Sequence, residues 1–237
     1  MIWLRSALFA LSQLITTPLF SVLALLAFPF KPVTRYRIIS HWAKLNLFLA
    51  RVICGIHYRV VGAENITDAP TIILSKHQSA WETMAFQRIF PPQVWVLKRE
   101  LLRVPFFGWG LAMTSPIAID RASGKEALKQ IVAQGKDRLA QGFWVVVFPE
   151  GTRVKPGTKG KYGIGGAWLA THTGAPALPV AHNAGEFWGK NAFLKYPGTI
   201  TVSIGKPIET KGMKPADLNH QVEAWIESEM ENIASRN

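Results

Sequence analysis

The stretch that decides the fold is Thr71-Ile72-Ile73-Leu74-Ser75-Lys76-His77-Gln78-Ser79-Ala80-Trp81-Glu82. Its first four residues favour a β-strand, whereas the residues that follow it, Thr83-Met84-Ala85-Phe86, favour a helix. A histidine and a carboxylate therefore stand at a strand-to-helix junction, which is where α/β proteins commonly place their chemistry.

The spacing of His77 and Glu82 allows two interpretations. In one regular helix, side chains five residues apart point about 140° away from each other and do not meet. If His77 lies in the turn and Glu82 in the first helical turn, the carboxylate can reach the imidazole, fix its tautomer and leave the other ring nitrogen able to accept a proton. Ser79 and Glu82 also form the S-x-x-E pattern of a capping box, in which Glu82 only satisfies the helix start.

Composition limits the class of protein. A chain of 237 residues suits one α/β domain with an appendage, and a single cysteine, Cys54, excludes a disulfide framework. Its six histidines form no Cys/His cluster, so we expect no metal site. The formal charge is +12, and no Asp or Glu precedes Glu64. A basic front half indicates an anionic partner, which could be nucleic acid, a membrane surface or a phosphorylated substrate.

The N-terminus predicts attachment to a membrane. Residues 2–30 are almost wholly apolar, with Arg5 as the one charge, and are long enough to span a bilayer. We expect Pro18 to break or kink a helix there. Residues 38–60 have the character of an interfacial amphipathic helix, so residues 1–60 are predicted as a membrane-associated helical anchor that either spans or dips into the bilayer. Three cations follow the apolar run and predict that the rest of the chain faces the cytoplasm from the inner membrane: Lys31, Arg35 and Arg37.

From residue 61 onward the pattern is that of an α/β domain. Short β-forming runs alternate with helical stretches, of which residues 123–141 are the clearest. This alternation predicts a mixed, largely parallel sheet flanked by helices. The predicted strands are 71–74, 94–97, 116–119, 143–148, 177–181 and 199–204.

Polar residues follow several of these predicted strands. Lys98 and Arg121 each stand just past one, and the apolar run before residue 148 leads into Phe148-Pro149-Glu150-Gly151-Thr152-Arg153. Guanidinium groups and exposed backbone N–H groups at such a turn suit a phosphate monoester. The basic loop 155–161 fits a mobile cover over an anionic ligand.

Together these residues resemble one family, the glycerolipid acyltransferases of the 1-acyl-glycerol-3-phosphate acyltransferase type, over about residues 71–205. Lys76-His77-x4-Glu82 is similar to the family's Asn-His-x4-Asp motif, as a Glu variant, and residues 115–121 are similar to its Gly-x-x-Phe-Ile-Asp-Arg motif. Its Phe-Pro-Glu-Gly-Thr-Arg motif is present whole at residues 148–153, and residues 175–180 are similar to its Pro-rich strand.

The resemblance implies an acyltransferase domain over residues 61–237. It implies that His77, oriented by Glu82, acts as general base on the sn-2 hydroxyl of 1-acyl-glycerol-3-phosphate, which attacks a thioester of coenzyme A or acyl carrier protein and becomes phosphatidic acid. The chain has no G-x-S-x-G elbow, so we expect no acyl-serine intermediate, and this chemistry requires no metal or cofactor. The remaining site residues implied are Gly151, Thr152 and Arg153 on the acceptor phosphate, Glu150 fixing their turn, Arg121 adding charge, and Lys98 stabilising the oxyanion.

Two other functions stay open at this point. The acceptor could be a different lyso-lipid, because related enzymes would carry much the same motifs. The chain could also be a non-catalytic membrane module that binds anionic lipid, in which case His77 is dispensable. Nucleic-acid binding is disfavoured because the aromatic residues cluster in membrane-like segments and form no stacking platform among the basic ones.

Overall fold

The computed structural model describes residues 1–120 and 123–235. Within these ranges the chain forms helices around a seven-stranded sheet. The helices are α1 (Ile2–Leu26), α2 (Pro32–Cys54), α3 (Trp81–Ile89), α4 (Phe107–Ala112), α5 (Lys125–Ala140), α6 (Gly165–Thr173), α7 (Ala184–Phe187) and α8 (Pro215–Ser235). The strands are β1 (Ile56–Val61), β2 (Ile72–Ser75), β3 (Gln93–Lys98), β4 (Ile117–Ile119), β5 (Trp144–Val147), β6 (Ala177–His182) and β7 (Gly198–Ile204).

The sheet is mixed and largely parallel, which confirms the predicted fold class. Its strand order is β1-β7-β6-β2-β5-β3-β4. The five strands from β6 to β4 run parallel to one another, whereas β7 pairs antiparallel with β6 and parallel with β1. The central strands β2 and β5 are buried along their whole length, as expected for strands covered on both faces.

This topology brings the predicted polar strand ends to one edge. β2 pairs with β5 through Leu74 and Val147, and β3 pairs with β4 through Lys98 and Ile119. Because parallel strands end at the same edge of a sheet, the segments that follow β2, β3, β4 and β5 leave side by side. The residues after β2 and β5, which carry two of the predicted motifs, are therefore neighbours.

Two groups of helices cover the sheet. Helix α6 contacts both α5 and α8, and the three helices pack on β2, β4, β5 and β6. Helices α1 to α4 form the second group, in which α2 contacts α1 and α3, and α1 contacts α4. The ring of Tyr36 on α2 stacks on Trp95 of β3, which joins this second group to the sheet. The apolar N-terminal helices are thus part of the folded body.

Strand β1 corrects the prediction of a helix over residues 38–60. Helix α2 ends at Cys54 because Gly55 adopts the left-handed conformation (φ 73°), which favours glycine. From Ile56 the side chains alternate between buried and exposed, and the segment pairs in parallel with β7. The period-two pattern of a half-buried strand was missed because the charged residues on its outer face resemble those of an amphipathic helix.

Helix α1 is not broken at Pro18, the first of the two predicted outcomes, because it runs through this residue without ending. Proline removes one backbone hydrogen bond, and the hydroxyl group of Thr17 donates to the carbonyl of Gln13 in the turn before it. Packing against α2 and α4 further supports the helix. Within the described residues, α1 is the helix long and apolar enough to cross a membrane, with a mean hydropathy of 1.8 in its most apolar window.

Candidate active site

His77 and Glu82 meet as the turn-and-helix interpretation requires. His77 lies in the turn after β2, and Glu82 is the second residue of α3. His77 Nδ1 lies 2.8 Å from Glu82 Oε1, and the imidazole stacks on the ring of Phe148 with centroids 3.9 Å apart. Glu82 is fully buried, whereas the His77 side chain retains 14% exposure. The carboxylate therefore holds the Nδ1–H tautomer and leaves Nε2 as the proton acceptor.

Glu82 also binds the backbone of the turn before α3, but the capping box is not formed as predicted, because the residue before the helix is Ala80 and α3 has no side-chain cap. Its Oε1 accepts hydrogen bonds from the backbone N–H groups of Gln78 and Ser79, at 2.9 and 2.8 Å, in addition to the one from His77. Burial by itself raises the pKa of Glu82, but the imidazoles of His182 and His77 and the N–H of Ser79 outweigh it, and the pKa is lowered. The carboxyl group is therefore ionised when it orients His77.

A second histidine, His182, lies behind the pair and was missed by sequence reasoning. It is the last residue of β6 and is fully buried. Its Nε2 lies 2.9 Å from the carbonyl oxygen of Lys76 and 3.9 Å from Glu82 Oε1, and its Nδ1 accepts from the N–H of Ala184. Burial lowers the pKa of His182, despite the carboxylate beside it. His182 thus donates through Nε2 to the carbonyl of Lys76, the residue that precedes His77.

Glu150 holds His77 from the neighbouring strand end. Its Oε2 accepts the backbone N–H of His77 at 2.9 Å, and the carbonyl of His77 accepts the N–H of Val154 at 2.8 Å. The other carboxylate oxygen, Oε1, lies 2.8 Å from Lys76 Nζ. Glu150 and Val154 therefore fix the backbone of the motif at 76–82 through hydrogen bonds. Glu150 itself does not line the cavity in front of His77.

A cavity of about 410 Å³ opens in front of His77. One end is polar and includes His77, Gly151, Thr152 and Arg153. The other end extends between helices α1 to α4 and is mostly apolar. The apolar lining includes Phe20, Ile39, Trp42, Met84, Trp95, Leu101, Phe107 and Leu111. The cavity thus suits a molecule with an anionic head and a long hydrocarbon chain.

Three cations, called here the rim cations, are among the residues that line the cavity: Lys98, Arg153 and Lys190. Among the described residues none of them forms an ion pair, and Lys190 Nζ lies 3.2 Å from Thr152 Oγ1. Lys190 was missed because it follows α7, outside every motif that the sequence displayed. Unpaired cations around a cavity suit a phosphate group.

The other predicted site residues fall as follows. Gly151 lines the cavity and has a φ of 66°, which favours glycine at this turn. Arg121 lies outside the described residues. Loop 155–161 is not a cover over the cavity: the carbonyl of Thr158 accepts from Lys76, and Lys159 forms an ion pair with Glu223 of α8 at 2.7 Å. Those contacts hold the loop against α8.

Comparison with known proteins places this geometry in a family. A family model described as Acyltransferase matches residues 57–183. The chain is 47% identical, over 98% of its length and 92% of the relative's, to the 1-acyl-sn-glycerol-3-phosphate acyltransferase of Pseudomonas aeruginosa. It is 30% identical to the mouse 1-acyl-sn-glycerol-3-phosphate acyltransferase alpha, over 83% of this chain and 70% of that one.

A solved structure has the same fold. The crystal structure of the 1-acyl-sn-glycerophosphate (LPA) acyltransferase PlsC from Thermotoga maritima superposes with a TM-score of 0.80 at 22% identity, covering 100% of this chain and 97% of that one. The long alignment to the Pseudomonas aeruginosa relative and the match of the family model then decide the assignment. The chain belongs to the acyltransferase family, and its sequence motifs had predicted that membership.

Proposed function

We propose that this chain transfers an acyl group from a thioester to the sn-2 hydroxyl of 1-acyl-glycerol-3-phosphate, which gives phosphatidic acid. The relatives with long alignments carry the name of this activity. One observation supports it above the others: the Nδ1 of His77 is bound by Glu82 at 2.8 Å, so that Nε2 is the proton acceptor at a cavity with cations at its rim and an apolar interior.

In the proposed reaction His77 is the general base. Its Nε2 takes the proton of the acceptor hydroxyl as that oxygen bonds to the thioester carbonyl carbon. The tetrahedral intermediate then collapses, the carbon–sulfur bond breaks, and the imidazolium returns the proton to the leaving thiolate. Glu82 is the counter-charge for the imidazolium and holds the ring in place. Lys98 at the rim is the proposed partner of the oxyanion.

Arg153, Lys190 and the turn at Gly151 are the proposed phosphate site. Arg153 and Lys190 supply positive charge beside Thr152, whose hydroxyl lies within reach of Lys190. Arg153 can form two parallel hydrogen bonds with a phosphate, which a lysine cannot do. Arg121 is also proposed to add positive charge at the phosphate, because it belongs to the motif at 115–121. Glu150 contributes by fixing the turn and not by contacting the acceptor.

The apolar end of the cavity is the proposed site for hydrocarbon. Its walls come from α1, α2, α3 and α4, so the N-terminal helices complete the substrate site. The thioester donor, acyl-CoA or acyl carrier protein, is anionic and would be attracted by the basic surface. The reaction needs neither a metal nor a cofactor.

We also propose attachment to the inner membrane, with the site facing the cytoplasm. Most of α1 is exposed and apolar, and an aromatic surface at Phe106, Phe107 and Trp109 lies beside it, since Ser21 of α1 donates to the carbonyl of Phe106 at 2.8 Å. Both surfaces border the cavity, so lipid can enter without crossing water. The exposed Lys31 and Arg37 favour the cytoplasmic side, whereas Arg35 is engaged by the carbonyl of Met113.

The test is acyl transfer to 1-acyl-glycerol-3-phosphate in washed membranes, with wild type, His77→Ala and a matched control, His172→Ala. His172 is exposed on α6, away from the cavity. We expect His77→Ala to lose activity by about 10²- to 10⁴-fold while staying folded and membrane-bound, and the control to match wild type.

The possible outcomes separate the hypotheses. Undiminished transfer by His77→Ala contradicts the mechanism. If wild type acylates another lyso-lipid but not 1-acyl-glycerol-3-phosphate, the assigned substrate is wrong and the proposed mechanism still applies. Vesicle binding without transfer to any acceptor indicates the lipid-binding module. Parallel assays with acyl-CoA and with acyl carrier protein identify the donor.

A further inference from the structure

A buried cluster of charges lies beneath the site and does not contact the cavity. Lys76 is only 1% exposed, and its Nζ lies 2.8 Å from Glu150 Oε1 and 2.8 Å from Glu227 Oε1. The same ammonium donates to the carbonyl of Thr158 at 3.2 Å. The hydroxyl of Tyr162 donates to Glu227 Oε1 at 2.7 Å. A lysine that is buried this deeply is rare unless its charge is paired, and here two carboxylates pair it.

This Lys76 cluster, formed by Lys76, Glu150, Glu227 and Tyr162, is joined directly to the proposed base. Glu150 binds Lys76 through Oε1 and the backbone N–H of His77 through Oε2. The carbonyl of Lys76 accepts from His182 at 2.9 Å. The residue before His77 is therefore held through its side chain and its carbonyl, and His77 itself through its N–H. Each of these contacts restricts the position of the His77 imidazole.

Glu227 brings the C-terminal helix into this arrangement. It lies on α8, well beyond residues 57–183 that match the family model, and 151 positions along the chain from Lys76. Burial and the carboxylates of Glu227, Glu150 and Glu223 raise the pKa of Tyr162 far above its usual value, so its hydroxyl stays a donor to Glu227. Lys76 stands where the similar family motif has Asn, and the carboxylate of Glu227 on α8 pairs with the positive charge that this lysine adds.

We propose that Lys76 and Glu227 are positioning residues for the reaction: the ammonium of Lys76, held by Glu227 of α8, fixes Glu150 and through it the backbone of His77. The inference rests on the proposed acyl transfer. Neither Lys76 nor Glu227 lines the cavity, so they act on the placement of His77 and not on substrate contact. Helix α8 is then part of the catalytic unit and not only a cover on the sheet.

The proposal predicts how activity depends on the balance between the positive charge of Lys76 and the two carboxylates that pair with it. Lys76→Met keeps the length of the side chain but leaves the buried Glu150 and the partly buried Glu227 close together with no cation between them. Their repulsion disturbs the carboxylate that holds His77. If Glu227→Gln is added to Lys76→Met, one of the two negative charges is removed and a neutral amide is left beside Glu150. The double variant should therefore recover part of what Lys76→Met loses, whereas two independent packing defects would add up.

The experiment measures kcat and KM for acyl transfer in the full-length protein with Lys76→Met, Glu227→Gln and the double variant. The matched control is Glu223→Gln, because Glu223 lies one helical turn before Glu227 on α8 and forms a partly exposed ion pair with Lys159. We expect kcat to fall by about tenfold or more in Lys76→Met and severalfold in Glu227→Gln. We expect KM to stay unchanged in all variants, and the double variant to be more active than Lys76→Met.

A second measurement does not depend on acyl transfer. Carbethoxylation of His77 by diethyl pyrocarbonate, followed by mass spectrometry, reports the reactivity of its imidazole, with the exposed His172 as internal reference. We expect Lys76→Met to slow the modification of His77 severalfold relative to that of His172. If wild type fails to acylate 1-acyl-glycerol-3-phosphate, the proposed function fails, and this measurement still tests the inference.

Several results would overturn the proposal. These are a double variant that is less active than Lys76→Met, a change confined to KM, or unchanged kcat and His77 reactivity in folded variants. If Lys76→Met does not accumulate as folded protein, Glu227→Gln decides alone. A severalfold loss of kcat in Glu227→Gln relative to Glu223→Gln supports the proposal, and equal kcat values refute it.

Discussion

The two sides of His77 are built in opposite ways. Behind the imidazole, Glu82, Glu150 and His182 are buried, and each accepts or donates hydrogen bonds within the protein. In front of it, the rim cations Lys98 and Lys190 are exposed and Arg153 is half-buried, and among the described residues none of the three has an ion-pair partner. The buried side is held by contacts within the protein, whereas the cations of the open side are available to pair with an anionic ligand.

The difference indicates which kinetic constant each side controls. Buried, hydrogen-bonded groups fix geometry before the substrate arrives, so a change there alters the chemical step and kcat. Arg153 and Lys190 gain a partner when the acceptor phosphate binds, so a change at either of them alters the binding of the acceptor and KM. Three predictions test this division, beginning with the largest expected effect.

The first prediction concerns Glu82→Gln. An amide in place of the carboxylate removes the counter-charge for the imidazolium and can present its NH₂ group to Nδ1, which favours the wrong tautomer. We expect kcat to fall by about 10²- to 10⁴-fold with little change in KM, measured in steady-state acyl transfer.

The control for this change is Glu126→Gln, an exposed carboxylate on α5, which should behave as wild type. Glu82→Asp restores the Asp of the family's motif but shortens the side chain by one methylene, and we expect activity between those of Glu82→Gln and wild type. A loss in Glu82→Gln that appears mainly in KM would contradict the division between the two sides.

The second prediction concerns the rim cations. Arg153→Met should raise KM for 1-acyl-glycerol-3-phosphate by about 10- to 100-fold, because a charge-assisted contact to phosphate is lost. Lys190→Met should raise it by about two- to fivefold, since the Lys190 ammonium is exposed and well screened. Both should leave kcat nearly unchanged, as measured over a full range of acceptor concentrations.

An exposed lysine outside the cavity, Lys211, supplies the matched control as Lys211→Met. Higher ionic strength should reduce the difference between Lys190→Met and wild type, because salt screens an exposed charge. A fall in kcat without a rise in KM for Arg153→Met would place this arginine on the chemical step and not on the phosphate.

The third and smallest prediction concerns stability and pH. Burial lowers the pKa of His182 below its usual value, which is about 6.5. Below that value the unfolded chain binds a proton that the folded chain excludes, so the free energy of unfolding falls as the pH is lowered from about 6.5 towards the folded-state pKa. His182→Gln removes this titration and keeps a donor near the carbonyl of Lys76. Between pH 7 and pH 5.5 we expect wild type to lose on the order of 1 kcal/mol more stability than the variant.

The measurement is the thermal unfolding midpoint of the detergent-solubilised protein across this pH range, with His172→Gln as the exposed control. Glu82 does not interfere, because its pKa is lowered and the stability that it contributes is lost only below the usual pKa of a glutamate, about 4.3. Parallel curves for wild type and His182→Gln would show that His182 does not titrate on unfolding.

The sequence by itself determined the local parts of this protein. The pairing of His77 with Glu82 spans five residues, and one turn followed by one helical turn is enough to bring them together. The order of the six predicted strands follows from local periodicity, and the motif at 148–153 is contiguous. The family followed from these short-range patterns, and so did the α/β class.

Only the tertiary structure decided the parts that join distant segments. His182 meets Lys76 across 106 positions, and Glu227 meets it across 151. Such contacts depend on which strands are neighbours and in which direction they run, and that order is set by the burial of the whole sheet and not by any local pattern. The same cause explains why β1 was missed and why α1 continues through Pro18, since pairing with β7 and packing against α2 and α4 outweigh local preferences.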